Sequence, residues 1–141
     1  MIYLTKNDLI VNAYERFIDE SSSDMEHILI DTEARAVAYV KSVLGLRYDM
    51  NLLFDPVEPI RNELIIQILC RIVIYNIIRR NAARKVPTDF KEDYDDALKL
   101  LKEIATGVTV LSDVPAPTDE NGNPTNTITM FGNNTNKNFY I

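Results

Sequence analysis

Pro59-Ile60-Arg61-Asn62-Glu63-Leu64-Ile65-Ile66-Gln67-Ile68-Leu69-Cys70-Arg71-Ile72-Val73-Ile74-Tyr75-Asn76-Ile77-Ile78-Arg79-Arg80 decides the fold of this chain. Ile60, Leu64, Ile68, Ile72 and Tyr75 recur at steps of three and four, the period of an α-helix. Pro59 stands where a first-turn proline is tolerated, because the N–H it lacks has no helical partner there. The pattern predicts a helix that opens at Pro59 and runs as far as Arg84. From Leu64 to Ile78 it is apolar around most of its circumference, so neighbours must cover it on nearly every side. Gln67, Arg71 and Arg79 fall on one line at steps of four, with Tyr75 between them, and mark the side expected to face water. The run is too short for a bilayer and carries Gln67 and Arg71 inside it, so it reads as a buried core helix.

On its C-terminal side, Val86-Pro87 breaks the pattern, and Asp89 with Glu92 is placed to cap a further helix. Phe90, Tyr94, Ala97, Leu98, Leu101, Ile104 and Ala105 then form one continuous stripe, which Gly107 ends. On its N-terminal side, Leu46 to Glu58 shows neither helical nor strand period and is expected to be an ordered loop anchored by Tyr48, Leu52, Leu53 and Phe54. Before it, Ser23 and Glu26 form a capping box ahead of Leu29, Ala36, Val40 and Val43. That helix should stop at Gly45, which suits the left-handed position after a helix end. Thr5 and Asp8 repeat the capping pattern, with Leu9, Ala13, Tyr14 and Phe17 at helical spacing, for a first helix over Lys6 to Ile18.

At Ser112 the composition changes. Pro115, Pro117 and Pro124 follow, with seven asparagines between Asn121 and Asn138 and almost no basic residues. Such a segment cannot bury enough surface to order itself alone. Two apolar anchors interrupt it: Ile128 and Met130, alternating with Thr127 and Thr129 and followed by Phe131, and the closing Phe139-Tyr140-Ile141. Asn121-Gly122 reads as a type I′ hairpin turn between Pro117 and Thr125. The expected organisation is a helical domain over residues 1–111 and an extended, low-complexity arm over 112–141. The fold class is mainly α, a small bundle of about four helices.

The composition bounds the function. With 141 residues and 46% hydrophobic content, one domain can bury a core without staples. Cys70 is the only cysteine, which excludes an internal disulfide and a multi-cysteine metal site and fits synthesis in a reducing compartment. The N-terminus lacks the basic start and apolar core of a signal peptide. A formal net charge of −6 argues against a general nucleic-acid binder.

Few residues converge on chemistry. His27 is the only histidine and sits among Asp24, Glu26 and Asp31 near the start of a helix, where a solvated surface imidazole is expected. Cys70, inside the apolar run, reads as a small buried hydrophobe. Asp93, Asp95 and Asp96 point to different faces of one helix, and no other oxygen ligand is spaced to join them. Asp119, Asn121 and Asn123 imitate the alternating ligands of a calcium loop, but the glycine is misplaced and no closing glutamate follows. Neither enzymatic turnover nor a metal or cofactor is expected. Arg79, Arg80, Arg84 and Lys85 make the one basic cluster. Cations at a helix C-terminus meet the negative end of its dipole, which is worth about 0.3 to 1 kcal/mol each, or they dock an acidic partner or nearby DNA.

Tyr3-Leu4-Thr5 with Asp8, Tyr39-Val40 to Leu46-Arg47-Tyr48, Pro59 with the helix through Tyr75, and Tyr94 through Gly107 followed by Leu111 stand together in one order. That order resembles the small helical head-tail connector proteins of tailed bacteriophages, in particular the Mu-like phage neck protein family, over roughly residues 2–111. The resemblance implies a virion protein made in the host cytoplasm and placed at the head-tail interface. There it forms a homo-oligomeric ring, usually dodecameric, that bridges portal protein to tail or neck proteins near the genomic DNA and helps retain the genome. The arm after Ser112 looks longer than the family pattern requires.

Two segments are the expected partner contacts, along with the basic cluster. The arm can strap neighbouring copies together through Ile128, Met130, Phe131, Phe139, Tyr140 and Ile141. Leu52, Leu53 and Phe54, rimmed by Asp49, Asp55 and Glu58, either cap the bundle or anchor an adjacent subunit. The alternatives are a neck or tail-completion protein further from the portal, and a small helical regulator that binds DNA or a host protein through Arg79 to Lys85.

Overall fold

The computed structural model describes residues 2–12, 26–80 and 85–125. Among them are five helices: α1 Lys6–Asn12, α2 Glu26–Leu44, α3 Met50–Leu53, α4 Glu63–Arg80 and α5 Thr88–Thr106. Among the described residues there is no strand, only an isolated antiparallel bridge between Thr118 and Pro124. The mainly helical reading holds.

Helix α4 is the centre. It packs against α1, α2 and α5, and α2 also meets α5. Ten of its residues, from Ile65 to Ile78, are buried, as an all-round apolar helix requires. It opens later than Pro59, at Glu63, because Asn62 supplies the cap: its Oδ1 accepts the Ile65 N–H at 3.0 Å. Of the line expected to face water, Arg79 is exposed, but Gln67, Arg71 and Tyr75 are half-buried, since α5 lies over them. There Tyr75 stacks on Tyr94 with ring centroids 4.1 Å apart, and Arg71 pairs with Asp93 at 3.5 Å.

Helix α5 buries Ala97, Leu101 and Ile104 and half-buries Phe90, Tyr94, Leu98 and Ala105, the stripe read from spacing. No side chain caps its start. Pro87 occupies that position, so the expected cap at Asp89 is not formed. Its end is as expected, with Gly107 left-handed at φ 85°. Gly45, by contrast, does not have positive φ; a Cβ there would sit 2.7 Å from the Lys41 carbonyl oxygen, so glycine answers a close approach.

The Thr5–Asp8 capping box is reciprocal: Thr5 N–H donates to Asp8 Oδ2 at 2.7 Å and Asp8 N–H to Thr5 Oγ1 at 3.2 Å. The continuation of α1 through Ala13, Tyr14 and Phe17 and the Ser23 cap lie outside the described residues. The stretch Leu46 to Glu58 departs from the loop expectation by holding α3. Asp49 Oδ1 accepts the N–H groups of Asn51 and Leu52 at 2.9 and 3.2 Å, which is enough to nucleate one turn.

Past Ser112 the chain stays attached. Val114 is buried, Asp49 N–H donates to the Pro115 carbonyl at 2.8 Å, and Asn62 Nδ2 donates to Asp113 Oδ1 at 2.7 Å. The hairpin between Pro117 and Thr125 is present, but its turn is not type I′, because Gly122 alone has positive φ there. Gly122 N–H donates to the Asp119 carbonyl at 3.0 Å, and Asp119 Oδ1 accepts from Asn121 and Asn123. A type I turn followed by a left-handed glycine fits these bonds.

Candidate interaction surfaces

Glu33 lies in the stripe of Leu29, Ala36 and Val40 and is only 2% exposed. A buried carboxylate needs donors, and three backbone N–H groups supply them. Ile2 donates to Oε2 at 2.7 Å, and Tyr3 and Leu4 donate to Oε1 at 2.8 and 2.6 Å. Residues 2–4 are thereby fixed against α2. The Tyr3 hydroxyl donates to the Ile60 carbonyl at 2.9 Å and accepts from Asn62 N–H at 3.1 Å. Burial raises the Tyr3 phenol above its ordinary value, against the lowering effect of that N–H and of the Arg61 charge. Arg61 reaches the Tyr3 carbonyl and pairs with Asp8 at 3.1 Å. Burial works against the Asp8 carboxylate, but the Thr5 hydrogen bonds and Arg61 outweigh it and hold its pKa below the usual carboxylate value.

This clamp shapes a groove of about 200 Å³, lined by Ile2, Tyr3, Glu33, Ala34, Val37, Ala38, Lys41, Phe54 and Asp55. Ala34, Val37 and Ala38 give it a shallow floor on one face of α2, and Lys41 lies 5.6 Å from the centre of the Phe54 ring. Tyr3 meets Phe54 edge to face at 4.9 Å. Both Glu33 oxygens are already bonded, so the groove offers apolar contact more than charge.

A second junction joins Arg47-Tyr48 to the end of α5. The buried Tyr48 hydroxyl accepts Leu111 N–H at 3.0 Å, and a side chain at Gly107 would collide with the Arg47 guanidinium. Segments 45–60 and 107–115 therefore lie together. They carry Leu46, Leu52, Val57, Val108 and Val110, which are the most exposed large apolar side chains of the described residues apart from Ile2 and Val11. Of the expected anchor, Leu53 and Phe54 are buried in the core and Leu52 alone is open, at 47%. The first two pack into the bundle; of the three, only Leu52 is open to solvent.

Arg79, Arg80 and Lys85 are exposed at and after the end of α4, while Arg84 lies outside the described residues. So do Ile128, Met130, Phe131, Phe139, Tyr140 and Ile141. His27 is exposed, and burial pushes the Cys70 thiol up to about 12, with the Asp8 charge adding to it. Among the described residues no group of three or more His, Cys, Asp or Glu side chains could hold a metal ion. No helix among them is long and apolar enough to cross a membrane.

Apart from Ile2, these clamps and junctions fall within residues 3–129, which match the model of the family described as Bacteriophage Mu, Gp36. The chain belongs to that family. A Mu Gp36 family protein is a phage structural or morphogenesis protein, and the match reaches beyond the 2–111 expected from the motifs. It takes in the hairpin and Ile128, so most of the arm is not an addition to the family pattern. No curated protein and no solved structure matches the chain.

Glu33 was the residue spacing alone passed over. Its signal was there: a glutamate in an apolar stripe, at positions 29, 33, 36 and 40, is out of place unless something satisfies it.

Proposed function

We propose that this Mu Gp36 family protein is a head-tail connector: one subunit of a ring that bridges portal and tail and helps keep the packaged genome inside. The observation that carries the reading is the exposure of five large apolar side chains, Leu46, Leu52, Val57, Val108 and Val110, on two segments that the Tyr48–Leu111 hydrogen bond joins. Apolar side chains left in water suit permanent adhesion between subunits. The role is passive, made of geometry and contact, without turnover or cofactor.

A position one layer further from the portal rests on the same surface. A DNA-binding regulator is less well supported. Arg79, Arg80 and Lys85 do face solvent, but the first half of α5 sets Asp89, Glu92, Asp93, Asp95 and Asp96 beside them in the chain and lowers the local positive potential.

Replacing Leu46 and Val108 by Asp tests the connector reading. The variant is expected to keep its stability within about 0.5 kcal/mol, as surface changes do, and to be lost from purified particles. Normal incorporation would overturn the role given to this surface.

A further inference from the structure

The groove between residues 2–3, α2 and Phe54 is open, although every polar atom of Glu33 beneath it is satisfied. We propose that it is the socket for the aromatic anchor Phe139-Tyr140-Ile141 of a second copy of this chain. The proposal rests on the ring reading above and names the contact that would link one subunit to the next.

Size and chemistry choose an aromatic occupant. A cavity of about 150 Å³ lined by aliphatic and aromatic side chains admits benzene, so a groove of about 200 Å³ takes one ring. Its floor of Ala34, Val37 and Ala38 leaves the space that a larger side chain would fill. Phe54 already packs edge to face on Tyr3, and a third ring would extend that pair. Lys41 and Asp55 stand among the lining residues, where a phenol hydroxyl can meet either.

Reach separates the two anchors of the arm. Thr125, bonded to the Pro117 carbonyl, is the last described residue before both anchors. Ile128 is three residues further on, a reach of at most roughly 10 Å at about 3.3 Å per residue, which falls short of a neighbour's groove. Phe139 is fourteen residues on and reaches up to about 46 Å. A folded body of this size has a radius of gyration near 14 Å, hence a diameter of about 35 Å. The far anchor alone spans that distance to a neighbour's groove.

The start of the arm, at Asp113, is tied to the wall of the groove. Asp113 is bonded to Asn62, Asn62 N–H to the Tyr3 hydroxyl, and Tyr3 lines the groove. The contact joins two different surfaces, the heterologous kind that closes into rings.

The test uses isotope-labelled full-length chain carrying Phe139→Ala and Tyr140→Ala, titrated with unlabelled wild-type chain and followed by amide resonances. Only an anchor from another molecule can reach the labelled groove. Dose-dependent shifts at Ala34, Val37 and Ala38, absent when the titrant also carries both substitutions, are expected. No shift up to millimolar subunit, or equal shifts with the substituted titrant, would overturn the proposal. Its failure is separable from failure of the ring reading: a protein present in virions at portal-like copy number but showing no groove shifts keeps the ring and loses the socket.

Discussion

Removing the Glu33 carboxylate should loosen the first residues before it unfolds the domain. In Glu33→Ala, three N–H groups at 2.6 to 2.8 Å lose their acceptor at once. Hydrogen bonds to a charged group contribute about 1.5 to 3 kcal/mol each, so a simple sum would exceed 4 kcal/mol. The loss cannot exceed what it costs to release residues 2–4 entirely. Release exposes Tyr3 and Leu4, now 3% exposed each, at about 1.5 to 3 kcal/mol apiece, and returns about 1 to 2 kcal/mol of backbone entropy per residue. The Tyr3 hydroxyl bonds to Ile60 and Asn62 would go as well. The expected loss for Glu33→Ala is therefore about 2 to 4 kcal/mol. Glu33→Gln keeps one acceptor oxygen but turns a donor towards Ile2 N–H or the Tyr3 and Leu4 pair, for about 1 to 2 kcal/mol. Denaturant unfolding gives the global loss, and amide exchange at Tyr3 and Leu4 gives the local one, accelerated at least tenfold. A loss below about 0.5 kcal/mol in Glu33→Ala, with exchange at those amides unchanged, would refute the clamp.

Phe54→Ala should cost about 3 to 5 kcal/mol in denaturant melts, because the ring is 7% exposed; Leu52→Ala should stay within about 0.5 kcal/mol, since that side chain is half open. Gly107→Ala forces a left-handed residue at φ 85° and collides with Arg47, so a loss of at least about 1 to 2 kcal/mol is expected. Adding Arg47→Ala should relieve the collision but leave the strain, which a double-mutant cycle will show. The Asp8 carboxylate titrates below its usual value in the folded chain, so its contribution is present above about pH 4 and is lost as pH falls through the lowered folded value. An acid titration of unfolding should therefore be shallower over that range in Asp8→Asn than in the parent chain.

The helices could be read from the sequence wherever burial follows a period. Leu64 to Ile78 and Phe90 to Ala105 were legible because packing of an apolar face dominates their energetics. What escaped was set by single polar contacts. The Asn62 cap starts α4 four residues after Pro59, and Asp49 makes a turn of helix too short to show any period. The half-burial of Gln67, Arg71 and Tyr75 depends on where α5 crosses, and residues 59–80 alone do not contain that. The Arg47-Tyr48 and Gly107-to-Leu111 motifs were visible as separate pieces; only the fold shows that they touch. The groove was invisible for the same reason, since its walls come from residues 2–3, α2 and the turn after α3.

Quantitative mass spectrometry of purified virions, scoring this protein against the portal protein, tests the connector account most directly. The account predicts about one copy per portal subunit, as a ring on the portal axis requires. Absence from the particle would contradict it.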